Sequence, residues 1–496
     1  MTVKKHIIIL IVFLNSFNLF SQILVKQNHI INLAIKALKN DNSFKTAGIG
    51  FYVQDINSGE VISSFNSDLS LAPASTQKLI TTATALEILG SNYKFKTRLE
   101  YTGKIDKNTG ILDGNIIIKG GGDPTLGSKY FSETKTQKFL DNWAIAIYKA
   151  GIKYINGNII GDARLYGYQT VPPKWTWEDM GNYFGAGPNG LTVYDNLYTI
   201  YFNTSSVKSG KTKIVKIEPE IPGLQVDNHV ISDAIHSDQS YIFGAPYTYE
   251  RYINGRLPLN KTNYKVKGSL PDPALYTALS LKKKLKENGI YSGKATTFRL
   301  NPDITASDTL IHKLLYKTYS PELKEIIKLT NFKSINLFAE HLYKQSQLKL
   351  ANFNPETGDK KFIKHFWQKK GLNTAGMFLF DGSGLSRYNG ISAKQLVFIL
   401  KYMKTKSKNS EIYYTSIPFV GKEGTVKYMC KGTSAVNNMR AKSGSLKNVI
   451  AYAGYVKTKS GRELAFSIII NNFNCSSSLA RKKIENILTT LADFNK

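Results

Sequence analysis

Only two of the 496 residues are cysteine, Cys430 and Cys475, which excludes a disulfide scaffold. The two thiols flank a predicted C-terminal hairpin and could pair in an oxidising compartment, but isolated thiols are the expected state. Neither has a His/Cys cluster beside it, and the seven histidines show no metal-ligand spacing, so no metal and no cofactor is expected. Acidic residues are also scarce, 36 against 66 Lys and Arg, a net charge of +30. Such an excess often marks a nucleic-acid partner. Here the lysines are dispersed among Asn and Ile rather than gathered in an arm, so a lysine-rich surface is expected and no nucleic acid. Long apolar runs are missing beyond the N-terminus. Lys4 and Lys5 precede the run Ile7 to Leu14, and Ser21 and Gln22 follow, the pattern of a secretory signal peptide over residues 1–22. Its apolar core falls short of the roughly 20 residues a spanning helix needs. Export without stable membrane insertion is expected, and export argues against DNA or RNA. No tandem repeat and no low-complexity linker occurs.

The most informative stretch is Ser75-Thr76-Gln77-Lys78. Leu79, Ile80, Ala83, Leu86 and Leu89 recur with helical period after Pro73, and Gly90 supplies the stop. Residues i and i+3 share a helix face, so the Lys78 amine can reach the Ser75 hydroxyl, giving a nucleophile with a built-in base. The pattern alone is weak, since Ser-x-x-Lys also starts at Ser91, Ser132, Ser205, Ser280 and Ser346. Two further elements follow in order. Ser334-Ile335-Asn336 separates two helical patterns, and Lys442-Ser443-Gly444 reads as the start of a strand that continues through Val449, Ala451, Ala453 and Tyr455. Leu464, Phe466, Ile468 and Ile470 would form the second arm of a hairpin. Gly120-Gly121-Gly122 resembles a phosphate loop only superficially. No Gly-Lys-Ser/Thr follows it, so a turn is expected and nucleotide binding is excluded.

The ordered set Ser-x-x-Lys, Ser-x-Asn, Lys-(Thr/Ser)-Gly resembles the penicillin-recognising serine enzymes. Gly120-Gly-Gly-Asp-Pro-Thr-Leu126, Ser334-Ile-Asn-Leu-Phe-Ala-Glu-His341 and Asp381-Gly-Ser-Gly-Leu-Ser-Arg387 narrow the likeness to the D-alanyl-D-alanine carboxypeptidase/endopeptidase family, the class C low-molecular-mass penicillin-binding proteins. Ser443 stands where that family more often has threonine. The resemblance implies a periplasmic enzyme acting on peptidoglycan stem peptides and acylated by β-lactams. Ser75 would be the nucleophile and Lys78 its base, its pKa lowered by burial and by Lys442 as a second cation. Ser334 would relay a proton, and Asn336 would orient Lys78 and hold the substrate amide. The backbone N–H groups of Ser75 and Ser445 would receive the oxyanion. Lys442, Ser443, Gly444 and Ser445 would meet the terminal carboxylate. Asp162 would take the amino end of a diaminopimelate side chain, or else cap a turn after strand 158–160. Arg387 would touch the carboxylate region or brace its loop. A β-lactamase and a non-catalytic penicillin-binding sensor share parts of the set. The first lacks room for a long insert, and the second would lose a triad member or carry spanning helices.

The predicted fold class is α+β, a β-lactamase/transpeptidase-like catalytic domain with helices on both faces of a sheet drawn from both chain ends. Residues 29–39 read as a helix, and Thr46 to Val53 and Glu60 to Ser64 as strands. After Lys94 short strands and turns take over, and helical periodicity resumes near Pro273 to Leu285. The catalytic domain is thus expected over 23–98 and 266–496. A mainly β inserted region, implied by the resemblance to hold two nested small domains, would span 99–265.

Overall fold

Strand Glu463–Asn471 is apolar on both faces, and that dictates the architecture around it. Leu464, Phe466, Ile468 and Ile470 belong to one core with Ile31, Ile35, Ile484, Leu488 and Leu491. Ala465 and Ile469 belong to another, with Leu79, Ile80, Ala83, Leu396 and Leu400. Side chains alternate across a strand, so this one needs helices above and below. In the computed structural model it lies within a five-stranded antiparallel sheet. The strand order is Met439–Leu446, Val449–Lys457, Glu463–Asn471, Gly48–Asp55, Val61–Phe65. Helices 30–40 and Ser477–Ala492 cover one face. Helices Lys78–Leu89, Leu323–Lys333, Asn336–Ala351 and Ala393–Thr405 build the other. The structure describes residues 30–135, 137–302, 311–351 and 361–495, so the expected signal peptide lies outside the described residues. Among these, no helix is long and apolar enough to cross a membrane.

Helix Lys78–Leu89 is the hub. Every residue from Lys78 to Leu86 is buried, as expected of a helix wrapped on all sides. Its threonines would be poor choices in water, but each hydroxyl has a backbone partner. Thr82 and Thr84 donate to Lys78 O and Ile80 O at 2.7 Å, and Thr81 donates to Gly382 O at 2.6 Å. Burial of Leu79, Ile80 and Leu86, about 1.5–3 kcal/mol each, outweighs the few tenths lost to β-branched helix propensity.

The inserted region departs from expectation in two ways. Helix Lys138–Lys149 sits inside it, burying Phe139, Leu140, Trp143, Ala144 and Ile147. Its return to the catalytic domain also comes later than residue 266. Helix Pro273–Glu287, capped by Asp272, packs in the insert core, where Ala274, Ala278, Leu281 and Leu285 meet Ile159 and Trp143. Strand Ala295–Thr297 pairs in parallel with Ile159–Asp162, and Lys313–Tyr319 pairs with Lys96–Tyr101. The insert therefore runs from about Lys96 to Tyr319 as sheet adjacency defines it. Among the described residues its strands form four sheets. Two carry the helices Lys138–Lys149 and Pro273–Glu287, and two smaller ones lie between residues 197 and 269.

The glycine-rich stretch is a turn made for close approach. A Cβ on Gly120 would lie 2.1 Å from Gly190 O, and one on Gly121 would lie 1.8 Å from Lys96 O. Asp123, buried beside it, spends its Oδ1 on the amide and hydroxyl of Thr125 (2.8 and 2.6 Å). Cys430 and Cys475 are both free thiols.

Candidate active site

Ser75 lies on a 3-10 turn, Ala74–Gln77, that runs directly into helix Lys78–Leu89. Ala74 has φ 46°, a left-handed value that costs a non-glycine residue of order 1–3 kcal/mol. Two glycines let neighbouring segments press on this turn and hold it. Gly384, φ 82°, sits where a Cβ would be 1.9 Å from Ala74 O. Gly444 sits where a Cβ would be 2.7 Å from Pro73 O and 2.9 Å from Ser75 N. The loop 381–387 and the strand of Lys442 thus close on the nucleophile from two sides.

Lys78 is fully buried and donates three hydrogen bonds, to Ser75 Oγ (2.9 Å), Asn336 Oδ1 (2.7 Å) and Ser383 O (2.7 Å). Ser334 takes a left-handed backbone (φ 58°) between helices Leu323–Lys333 and Asn336–Ala351, which turns its hydroxyl toward Lys442 Nζ at 2.9 Å. Lys442, equally buried, also donates to Ser443 O at 2.8 Å. The five predicted catalytic residues therefore meet. Lys442 is not at a strand start: strand Met439–Leu446 is complete in itself, and the turn Lys447-Asn448, with Asn448 at φ 59°, separates it from Val449–Lys457. Asn336 points its Nδ2 at Phe184 O of the insert (2.8 Å), so one donor of the amide expected to hold substrate is already used.

Burial lowers Lys78 to about 7, against the upward pull of the Asp381 and Glu340 charges. Burial also pushes Lys442 well below the ordinary lysine range, and the charge of Lys78 pushes it further. Burial, one of the two causes expected for the low Lys78 pKa, thus acts on both amines, and the repulsion between them is shared. Two amines buried together cannot both stay charged at neutral pH.

Two carboxyl groups escape a reading of the sequence. Asp381 Oδ1 accepts from Gly384 N (2.8 Å), Asn389 Nδ2 (2.8 Å) and Gln77 Nε2 (3.1 Å), and Oδ2 from Ser386 N (2.6 Å) and Trp175 Nε1 (2.8 Å). Glu340 accepts from Gly382 N and Ser383 N, the latter at 2.8 Å, and burial followed by the Asp381 charge raises its pKa. Together they fix the loop whose Ser383 carbonyl anchors Lys78. Neighbouring His341 is a clamp. Burial lowers it to about 4, so it is neutral, and its Nδ1 donates to Gly122 O at 2.8 Å while Nε2 faces Thr192 Oγ1 at 3.0 Å. This fastens the Asn336 helix to the insert.

The cleft in front of Ser75 holds about 440 Å³. Ser334, Asn336, Ser445 and Arg387 line it on the catalytic side, and Glu178, Tyr183, Phe184 and Tyr241 on the insert side. Arg387 braces the sheet as well, donating to Lys447 O at 3.1 Å. Asp162 is not among the lining residues. It is buried at the end of strand Ile159–Asp162, and Arg164 engages both of its oxygens, Nε on Oδ1 and Nη2 on Oδ2, each at 2.9 Å. Arg164 N bonds Oδ1 as well (3.0 Å), and the guanidinium lies over the Phe298 ring. Of the two roles expected for Asp162, the hydrogen bonds seen here are those of a turn cap, with Arg164 as its charge partner. Among the described residues no cluster of His, Cys, Asp and Glu could hold a metal.

Known proteins are similar to this chain along nearly its whole length. A D-alanyl-D-alanine carboxypeptidase DacB of Haemophilus influenzae is 27% identical over 448 residues, 88% of each chain. A D-alanyl-D-alanine carboxypeptidase from an Actinomadura species is 27% identical over 461 residues, 90% of this chain and 82% of that one. The crystal structure of penicillin-binding protein 4 from H. influenzae superposes with a TM-score of 0.75 at 24% identity, covering 93% of this chain and 97% of that one. That protein has also been solved with a β-lactam, and this form superposes with a TM-score of 0.70. The family model for the D-Ala-D-Ala carboxypeptidase 3 (S13) family matches residues 31–493, so the serine, the two buried lysines and the cleft around them belong to a member of that serine peptidase family.

Proposed function

We propose that this carboxypeptidase cleaves the terminal D-alanyl-D-alanine bond of peptidoglycan stem peptides, and the corresponding cross-links, through an acyl-enzyme on Ser75. The observation that carries the reading is Lys78 Nζ at 2.9 Å from Ser75 Oγ with its pKa brought to about 7. Near neutral pH about half of such a lysine is free to accept the serine proton. Attack on the carbonyl then puts negative charge on oxygen, received by the N–H groups of Ser75 and Ser445. Losing one such donor costs about 2.7–4 kcal/mol. Ser334, bonded to Lys442, passes a proton to the leaving D-alanine nitrogen. Water deacylates the enzyme by the same groups in reverse.

The terminal carboxylate binds at Lys442, Ser443 and Ser445, with Arg387 and Lys447 adding positive charge at the cleft edge. Its arrival restores the proton that burial strips from Lys442, since an adjacent anion favours the charged amine. β-Lactams, which carry a carboxylate beside a reactive amide, enter the same way and stay on Ser75. The N-terminal pattern supports a periplasmic location.

The test is incubation with labelled penicillin, tryptic mapping of the adduct, and mass spectrometry of pentapeptide and cross-linked muropeptides before and after treatment. The expected results are an adduct on the Ser75 peptide, its loss in Ser75→Ala, and release of D-alanine. Labelling at another serine, or none on folded protein, refutes the assignment.

A further inference from the structure

The hydroxyl of Ser443 is not free. It shares a hydrogen bond of 2.7 Å with Thr425 Oγ1, a residue 18 positions earlier. The segment that carries Thr425 is stitched to the edge of the Lys442 strand. Val420 N donates to Met439 O (2.9 Å) and Ala441 N to Pro418 O (3.0 Å). The Arg440 guanidinium donates to Ile417 O (2.7 Å) and lies over the Phe419 ring. The loop then closes on itself, with Gly421 N on Val426 O and Phe419 N on the Glu423 carboxylate. Gly424, φ 55°, brings it within a Cβ's reach of Phe332 O, and Val426 is fully buried. Thr425 is therefore held in place by backbone on both sides.

We propose that Thr425 is a positioning residue for recognition of the substrate carboxylate, acting through Ser443. This rests on the function proposed above. In a pair of hydroxyls only one proton lies between the oxygens. If Ser443 donates to Thr425, it turns lone pairs toward the cleft and repels an anion. If Thr425 donates, the Ser443 proton is free to point at the carboxylate, and the acceptance of one hydrogen bond strengthens the donation of the next. A carboxylate selects the second arrangement. The need is greater because residue 443 is serine. A β-branched threonine has a restricted χ1, whereas serine rotates among three wells and relies on a partner to choose one. Thr425 supplies that choice.

The experiment compares Thr425→Val and Thr425→Ser, each with Ser443 or with Ser443→Thr, on a diacetyl-lysyl-D-alanyl-D-alanine peptide and on its C-terminal amide. Loss of one hydrogen bond of ordinary strength predicts a rise in KM for the acid of about 3- to 10-fold in Thr425→Val, with kcat changed less than about 2-fold. Thr425→Ser keeps the hydroxyl and stays near the parent. The amide peptide, lacking the charge, responds to neither. With Ser443→Thr the Thr425→Val penalty shrinks, because the methyl group restricts the rotamer. Equal losses on acid and amide, a Thr425→Ser variant as poor as Thr425→Val, or an unchanged KM overturns the proposal. Penicillin labelling of Ser75 in the same samples separates the two failures: absent from the parent enzyme, it removes the proposed function, and present beside an unaffected KM, it removes only the role of Thr425.

Discussion

Replacing Lys78 with methionine removes the base and alters how stability depends on pH. The parent lysine is held near pKa 7 in the folded protein against 10.5 for an ordinary lysine. Between those values the unfolded chain binds a proton there that the folded chain does not. Proton uptake by the unfolded state favours unfolding, so the parent is penalised as pH falls from 10.5 to 7, and no further below 7. The penalty at pH 7 comes to about 4 kcal/mol, and at pH 9 to about 2 kcal/mol. Lys78→Met has no such dependence. Its absolute stability also carries a cost, because Asn336 Oδ1 and Ser383 O lose a donor, about 1–3 kcal/mol per buried acceptor, but that cost does not titrate. The stability of the variant relative to the parent should therefore fall by about 2 kcal/mol between pH 7 and pH 9. Urea unfolding of both proteins at the two pH values gives the number. Parallel profiles would mean that Lys78 stays charged in the folded state, and the base role would fall with them.

Gly384→Ala should disable the site without touching a catalytic group, because the new Cβ would sit 1.9 Å from Ala74 O at φ 82°. A loss of more than about 2 kcal/mol in unfolding free energy, with penicillin acylation slowed at least 10-fold, is expected. Unchanged acylation kinetics would contradict the claim that this loop holds the nucleophile. Asp162→Asn should cost about 2 kcal/mol of stability by weakening the Arg164 pair, yet change kcat/KM equally for peptides with free and with acetylated side-chain amines. Selective loss with the free amine would restore a substrate role to Asp162.

The catalytic set is legible in the sequence because each member sits in a short pattern. Ser75 and Lys78 share one helical turn, Ser334 and Asn336 flank a helix boundary, and Lys442 opens a Lys-Ser-Gly triplet. What binds these patterns together is not local. Asp381 and Glu340 act by gathering backbone amides of residues 382, 383, 384 and 386, and no spacing rule reveals which amides a carboxylate will meet. The Asp162 turn cap is local and legible, since its partner Arg164 lies two residues on. The helix 138–149 was readable, with Phe139, Leu140, Trp143, Ala144 and Ile147 in helical register, but it lies among short strands that dominate the pattern. The far boundary of the insert was not readable. Helix Pro273–Glu287 looks the same whichever core it enters, and only the pairing of Ala295–Thr297 with Ile159–Asp162 assigns it.

The sheet that supports the site has its middle strand, Glu463–Asn471, near the end of the chain, flanked by Val449–Lys457 and by Gly48–Asp55 from the beginning. A polypeptide halted before residue 471 leaves the first strand without its inner neighbour, and one halted before Lys442 lacks the second amine altogether. The Ser75 turn then has no Gly444 to rest on. The enzyme thus carries its own proof of completion. A nascent or truncated chain holds a serine and a lysine but no assembled hydrolase, and the capacity to cut appears only once both ends of the chain have met.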